Sequence, residues 1–395
     1  MRNWNLFVFC YLCFLVLLKK SINFEIPIRK FMYFNPVKVI ETSNWVKAVS
    51  RNLAELGIKN PLITTSPEIL QLQNIFSVFN QNSIFSNIGS NPTFESCRQA
   101  IDFSNKEEFD GIIAIGGGSV MDTAKVVMAS MGTGINDVAK LLKVTAPYEA
   151  RVPGIFIPTT HGTGSEVTMW ATIWNMKEKK KYSLSHPDLY PDIAVLNGTL
   201  TLSLPVHISL TTTLDALSHS FEAIWNKNAN PQSTEYAIEA IILILENIKE
   251  LKSDLKNNVV RTKLLKASNI AGLAFSNTKT AAAHSISYPL TLRFKIPHGI
   301  ACSMVMLPLI KINKIAIERE LHMILKKLNL SKVSDLEKQI KEIPGDIIKY
   351  TLTDWGVRKE HLEELVKQSF TRERMENNII DLSEERVRWI LEEIY

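Results

Sequence analysis

From about residue 33 to 200, short β-rich apolar runs alternate with stretches whose apolar residues recur at helical spacing. The clearest strands are Pro61 to Thr65, Gly111 to Ile115, Gly154 to Pro158 and Ile193 to Leu196. Turn-forming residues bound each of them, and helical patterns lie between. That alternation predicts a parallel sheet with helices on its faces. After about Ser203 the β-type runs stop. Pro231 to Leu251 is a long apolar-periodic helix starting at Ser233 or Thr234. Ser334-Asp-Leu-Glu337 reads as a capping box, and Ser383 before Glu384-Glu385 opens a final helix. The expected organisation is an α/β domain over residues 32–202, then a helical domain over 203–395. A cleft between them is a favoured place for ligands.

The N-terminus departs from this pattern. Trp4 to Leu18 is almost wholly apolar, with Arg2 before it and Lys19-Lys20 after it. It is shorter than the roughly 20 residues that span a bilayer. It resembles a signal-peptide core, but no small-residue cleavage site follows. Met32 precedes Tyr33-Phe34-Asn35-Pro36, which reads as the start of the globular part. Residues 1–31 are thus either an over-extended start or a membrane anchor.

Composition narrows the partners. The 395 residues are 46% hydrophobic and 22% charged, enough apolar material for two ordinary domains. A net charge of +5 on 45 basic and 40 acidic side chains is slight. The basic runs at Lys179 to Lys181 and Lys326-Lys327 are short, so no nucleic-acid partner is expected. Cys10, Cys13, Cys97 and Cys302 are too scattered for a disulfide framework or a zinc knuckle. A reduced, cytoplasmic setting follows, or a membrane-anchored one if the apolar segment is retained.

Candidate chemistry lies in both halves of the chain. Gly111 to Lys125 reads GIIAIGGGSVMDTAK: a strand, a glycine turn, then a helix. Glycines let backbone approach an anion, and a helix N-terminus offers free N–H groups. Ser119 is a natural cap and Asp122 falls in the first helical turn. A second strand ends in IPTTHGTGSEVT, Ile157 to Thr168, and Gly89-Ser-Asn-Pro-Thr93 could line the same edge through Asn91. In an open parallel sheet such strand ends line the ligand crevice. In the helical half, TLDALSHSFE puts Asp215 and His219 four residues apart on one helix face. His284 and His298 follow, the latter in Pro-His-Gly. One carboxylate and three imidazoles suit Fe(II) or Zn(II) in a catalytic site.

These four motifs, in this order and spacing, resemble the iron-containing alcohol dehydrogenase family from about Met32 to the C-terminus. The resemblance implies a Rossmann-like N-terminal domain, an all-α C-terminal domain, one catalytic metal and NAD(P)H. It implies that Asp215, His219, His284 and His298 are the metal ligands. It also places Gly116, Gly117, Gly118, Ser119, Asp122, Thr159, Thr160, Thr163 and Lys181 on the cofactor side. Many NAD-preferring members carry an Asp after the first strand where this chain has Ser66, so NADH and NADPH are both admissible. Many have a histidine four residues after the third ligand where this chain has Tyr288.

The expected reaction is oxidation of an alcohol or reduction of an aldehyde, with the metal as Lewis acid. Arg293 and Lys295 lie close in sequence to a ligand, and two cations there suit an anionic substrate. The wording AAAHSISYPLT…IPHGIACS looks like the phosphonoacetaldehyde reductases of this family. A broad, butanol-type dehydrogenase is the alternative. A lyase like dehydroquinate synthase or a scaffold without turnover is less favoured. The protein is expected to act as a homodimer on a small-molecule aldehyde or alcohol.

Overall fold

Six short strands form one parallel sheet: β1 (Lys38–Glu41), β2 (Pro61–Thr65), β3 (Ile84–Phe85), β4 (Gly111–Gly116), β5 (Gly154–Pro158) and β8 (Ile193–Leu196). Their order is β1-β8-β5-β4-β2-β3. The computed structural model describes residues 32–72, 79–178 and 180–395. The apolar segment before Met32, with Cys10 and Cys13, lies outside the described residues, as does Lys179. Every residue of β4, β5 and β8 is buried, as expected when helices cover both faces of a parallel sheet. The four strands expected from periodicity are all present, β4 extending one residue further to Gly116.

Strand order sets the location of the crevice. The chain runs outward from β2 to β3, then returns to β4 on the other side of β2. The carboxyl ends of β2 and β4 therefore diverge, and ligands bind at such a switch point. Helix α4 (Gly118–Thr133) starts there, directly after β4.

The antiparallel hairpin of β6 (Trp170–Asn175) and β7 (Lys180–Ser185) was not expected from the pattern. Polar Thr, Asn, Lys and Ser interrupt both strands, so neither reads as an apolar run. It brings Lys181 opposite Trp174 and over the cleft.

No named strand follows Leu196 among the described residues. The helical half is built on α6 (Val206–Ile224), α7 (Pro231–Ser253), α8 (Asn258–Thr278), α9 (Ala282–Phe294) and α10 (His298–Met304). Helix α7 is capped by Asn230, whose side chain accepts from the Ser233 amide while Ser233 returns the bond; Pro231 occupies the first turn. The expected start at Ser233 or Thr234 is thus two to three residues late, because Pro is favourable at a helix's first position. The expected box at Ser334 also shifts: the helix opens at Val333, and Asp335 accepts from the Lys332 amide. Ser383 caps its helix through the Arg386 amide as expected. No single helix among the described residues is long and apolar enough to cross a membrane.

Candidate active site

A cleft of about 690 Å³ opens beyond the carboxyl ends of β2, β4 and β5 and runs to α6, α9 and α10. On its sheet side the backbone does most of the work. Gly117 caps α4 with no side-chain bond, so the first amides of the helix stay free for an anion. A Cβ on Gly118 would stand 2.7 Å from Thr163 Cγ2, and one on Gly117 3.1 Å from Thr160 Cγ2. The glycines are needed here because the two loops interlock. Ser119 is not the cap: its hydroxyl accepts from the Asn91 amide, and Asn91 holds a left-handed φ of 59°.

Asp122 lies beyond the first turn of α4, and its carboxylate faces inward. It accepts from the Ser165 hydroxyl at 2.8 Å and the Thr172 amide at 2.9 Å. Lys125, fully buried, donates to Ser165 O, Ser165 Oγ, Thr168 Oγ1 and Trp170 O at 2.7–3.0 Å. Burial lowers its pKa to about 8, against the opposing pull of Asp122. Together Asp122 and Lys125 pin the threonine loop and β6 to α4. Ser66, Asn91, Gly117, Gly118, Ser119, Asp122, Thr159, Thr160, Thr163 and Lys181 all line the cleft. Gly116 does not. It sits behind the wall, where a Cβ would strike Val120 Cγ2 at 2.5 Å. Glu68, which belongs to none of the motifs, also lines the cleft near Ser66.

On the helical side, α6 presents Asp215, His219 and Glu222 on one face, with spacings of four and three residues. Glu222 is completely buried and accepts from the His284 amide at 3.0 Å and from His284 Nδ1. A carboxylate there fixes the ring and leaves Nε2 free, the usual support for a ligating histidine. His284 Nε2 and Asp215 Oδ1 are buried, have no hydrogen-bond partner and stand 3.8 Å apart. That is too long for a hydrogen bond, and an ion about 2.0–2.2 Å from each fits between them. His298, at the start of α10, has its ring 5.1 Å from that of His284. Burial depresses His219 and His298 well below the usual imidazole range, so both keep a neutral lone pair. For His284 burial acts the same way, but Cys302 and Glu222 beside it outweigh that and raise it. The same surroundings favour a divalent cation. Burial raises Asp215 to about 6.

Donor atoms of Asp215, His284, His298 and Cys302 all lie within 4.8 Å of one another. His219 stands beside this group, its ring stacked between Phe275 at 4.2 Å and His284 at 4.5 Å, with Nδ1 unpartnered. Cys302 was missed in the sequence. Its signal was its spacing, four residues after His298 on the same short helix.

Tyr288 lies in the wall, its ring stacked 6.2 Å from His298. Burial, the dominant cause, pushes its phenol further up, so it stays neutral. Lys181 Nζ is 4.2 Å from the centre of that ring, and the guanidinium of Arg374 is 5.1 Å from it. Arg374 belongs to α15 (Arg372–Met375). The preceding turn is held to α9 by Ser285, whose hydroxyl donates to Ser369 O and accepts from the Thr371 amide. Arg293 is not in the cleft: it is exposed and pairs with Glu364 at 2.8 Å. Lys295 is also exposed, in the left-handed turn that ends α9. The cations expected at Arg293 and Lys295 are supplied by Lys181 and Arg374 instead.

The parallel sheet with a glycine-turn crevice, facing a helical half with a carboxylate–imidazole cluster, defines a nucleotide-linked metalloenzyme. Family models for iron-containing alcohol dehydrogenase match residues 36–198, and for the C-terminal part of that family residues 209–395. The chain belongs to the iron-containing alcohol dehydrogenase family, whose members use iron and NAD(P). It is similar to the NAD-dependent methanol dehydrogenase of Bacillus methanolicus: 32% identical over 287 residues, 70% of this chain and 74% of that one. It is also similar to the phosphonoacetaldehyde reductase of Streptomyces viridochromogenes, 35% identical over 212 residues, 52% of this chain and 53% of that protein. Among solved structures, sulfoacetaldehyde reductase from Bifidobacterium kashiwanohense in complex with NAD+ aligns with a TM-score of 0.86. That match has 25% identity and covers 92% of this chain and 98% of that one.

Proposed function

We propose that this dehydrogenase reduces a short aldehyde carrying a tetrahedral oxyanion, phosphonoacetaldehyde first, to the corresponding alcohol. The observation that carries the reading is the pair Lys181 and Arg374. Both lie over the Tyr288 ring at the cleft, and among the described residues neither makes a hydrogen bond or ion pair to another side chain. Two half-buried cations without a counter-ion are costly unless an anion joins them. Arg374 can offer two parallel N–H donors to a phosphonate or sulfonate, and Lys181 a point charge.

Asp215, His219, His284 and His298 would hold the family's metal, which when bound polarises the carbonyl oxygen while NAD(P)H supplies hydride. The remaining work is positional. The free amides of α4 and the threonine loop hold the cofactor's phosphates. Tyr288 carries both cations over its ring beside His298. A two-carbon aldehyde spans that short distance, with its carbonyl at the ligand cluster and its anion at Lys181 and Arg374. Glu68 beside Ser66 disfavours a 2′-phosphate by like-charge repulsion, which supports NADH. A cytoplasmic setting keeps Cys97 and Cys302 as free thiols and supplies reduced nicotinamide.

The test loads the full chain anaerobically with Fe(II) or Zn(II) and follows NADH and NADPH oxidation. Phosphonoacetaldehyde, sulfoacetaldehyde, propanal and butanal are compared. A clear preference for the anionic aldehydes supports the proposal, and their ratio tells phosphonate from sulfonate. Equal kcat/KM for the neutral aldehydes overturns it in favour of a broad, butanol-type enzyme.

A further inference from the structure

A second cavity, of about 270 Å³, shares no lining residue with the cleft. It lies at the carboxyl ends of β1 and β8, against the first turns of α8. Strand ends of this kind are where open parallel sheets take ligands. Its inner wall is the buried turn Leu196-Asn197-Gly198, and its rim includes the exposed Glu41, Ser43 and Asn258. Asn197 is 2% exposed. Its Oδ1 accepts from the Thr199 amide at 2.9 Å and from the Thr199 hydroxyl, which settles which side-chain atom is the oxygen. Nδ2 then has no partner. A buried amide N–H left unpaired is costly, so an acceptor belongs beside it. Two hydroxyls near it also have capacity to spare. Ser43 makes no side-chain hydrogen bond among the described residues. The Thr42 hydroxyl accepts from the Asn44 amide at 3.0 Å and keeps its own proton to give.

We propose that this cavity is a second binding site, for a small neutral polyol, independent of the substrate and of the metal. The ligand class follows from what the walls offer. The two charges at the cavity, Glu41 and Lys266, already pair at 2.8 Å, so nothing there calls for an ion. No aromatic ring lines it to stack a base, and Leu196 is the one large apolar side chain among its lining residues, too little for an acyl chain. Vicinal hydroxyls both accept and donate, which matches an unpaired amide donor, two hydroxyls and the Glu41 carboxylate. The volume is just under the roughly 300–1,000 Å³ of drug-sized sites, which fits a molecule of a few carbons. The position gives that ligand contact with both halves of the protein. The strand ends belong to the sheet half, while Asn258, Thr262 and Lys266 stand one turn apart on one face of α8. The halves meet most closely at Gly198, where a Cβ would lie 2.1 Å from Thr262 Oγ1. The chain runs on from this turn to Leu204, which lines the cleft and whose carbonyl accepts from Arg261 of α8 at 3.1 Å. A bound polyol therefore braces the link between the halves from outside the cleft.

Erythritol is titrated into the full-length chain with NADH at saturation, so that the cleft is occupied, and binding is followed by saturation-transfer NMR. Inorganic phosphate and 1-propanol are run beside it. Saturable binding of erythritol is expected, with neither of the others displacing it. Asn197→Asp keeps the oxygen that holds Thr199 and removes the unpaired donor. That change and Ser43→Ala should each weaken erythritol about 2–10-fold, the range of one neutral hydrogen bond. NADH affinity should stay unchanged in both, which shows that they are folded. Ser43 is exposed at the rim, so its variant decides if Asn197→Asp does not fold. No saturable binding, or equal binding to the wild type and both variants, overturns the site. Displacement by phosphate or by 1-propanol overturns the ligand class.

Discussion

Replacing Arg374 by Ala removes one of the two cations beside Tyr288 while leaving the metal ligands and the cofactor loops intact. A hydrogen bond to a charged group contributes about 1.5–3 kcal/mol. At about 1.4 kcal/mol per factor of ten, kcat/KM for phosphonoacetaldehyde should fall about 10–150-fold. The lower end is favoured by the neighbour: Arg374 is the largest charge effect lowering Lys181, so its loss strengthens the remaining cation. Arg374→Lys keeps charge without the planar fork and should fall between the two. Propanal has no anion, so its kcat/KM should not move. Arg293→Ala is the control, because that cation is exposed and already paired with Glu364. Steady-state NADH oxidation with both aldehydes measures all three variants. Loss of propanal and phosphonoacetaldehyde activity in equal proportion, or a larger effect at Arg293, would refute the reasoning.

Burial, with Arg374 adding to it, lowers Lys181 to about 8, so its cation is present below that pH and lost as pH rises through it. KM for the anionic aldehyde should therefore climb between pH 7 and 9 while that for propanal does not; parallel profiles would remove Lys181 from the site. Lys125→Met leaves the carboxylates of Asp122 and Glu166 without their nearest cation and empties four acceptors. A cost of about 3–5 kcal/mol in denaturant unfolding is expected, and a change under about 1 kcal/mol would show that the pin is slack. Glu222→Gln preserves shape but removes the charge held against His284 Nδ1. Metal affinity by chelator competition should drop about 10–100-fold; an unchanged affinity would mean that Glu222 only packs.

Much of this protein was legible in one dimension because its parts report themselves locally. Strands β2, β4, β5 and β8 are buried on both faces and so appear as apolar runs bounded by turn residues. The glycine turn before α4 and the four-residue step from Asp215 to His219 are properties of a single segment. The hairpin of β6 and β7 was not legible, because β7 is polar and largely exposed and Thr172 and Asn175 break the apolar run of β6. Nor was the choice between Arg293 and Arg374. Both are arginines close to α9 in space; what separates them is that Glu364, on another helix, satisfies the first, while Ser285 holds the turn that aims the second at Tyr288. The same holds for Glu222 against His284 and for the inward turn of Asp122. Spacing along a chain tells which side chains share a face. Which of them find a partner, and which are left to meet a ligand, depends on segments that only folding brings together.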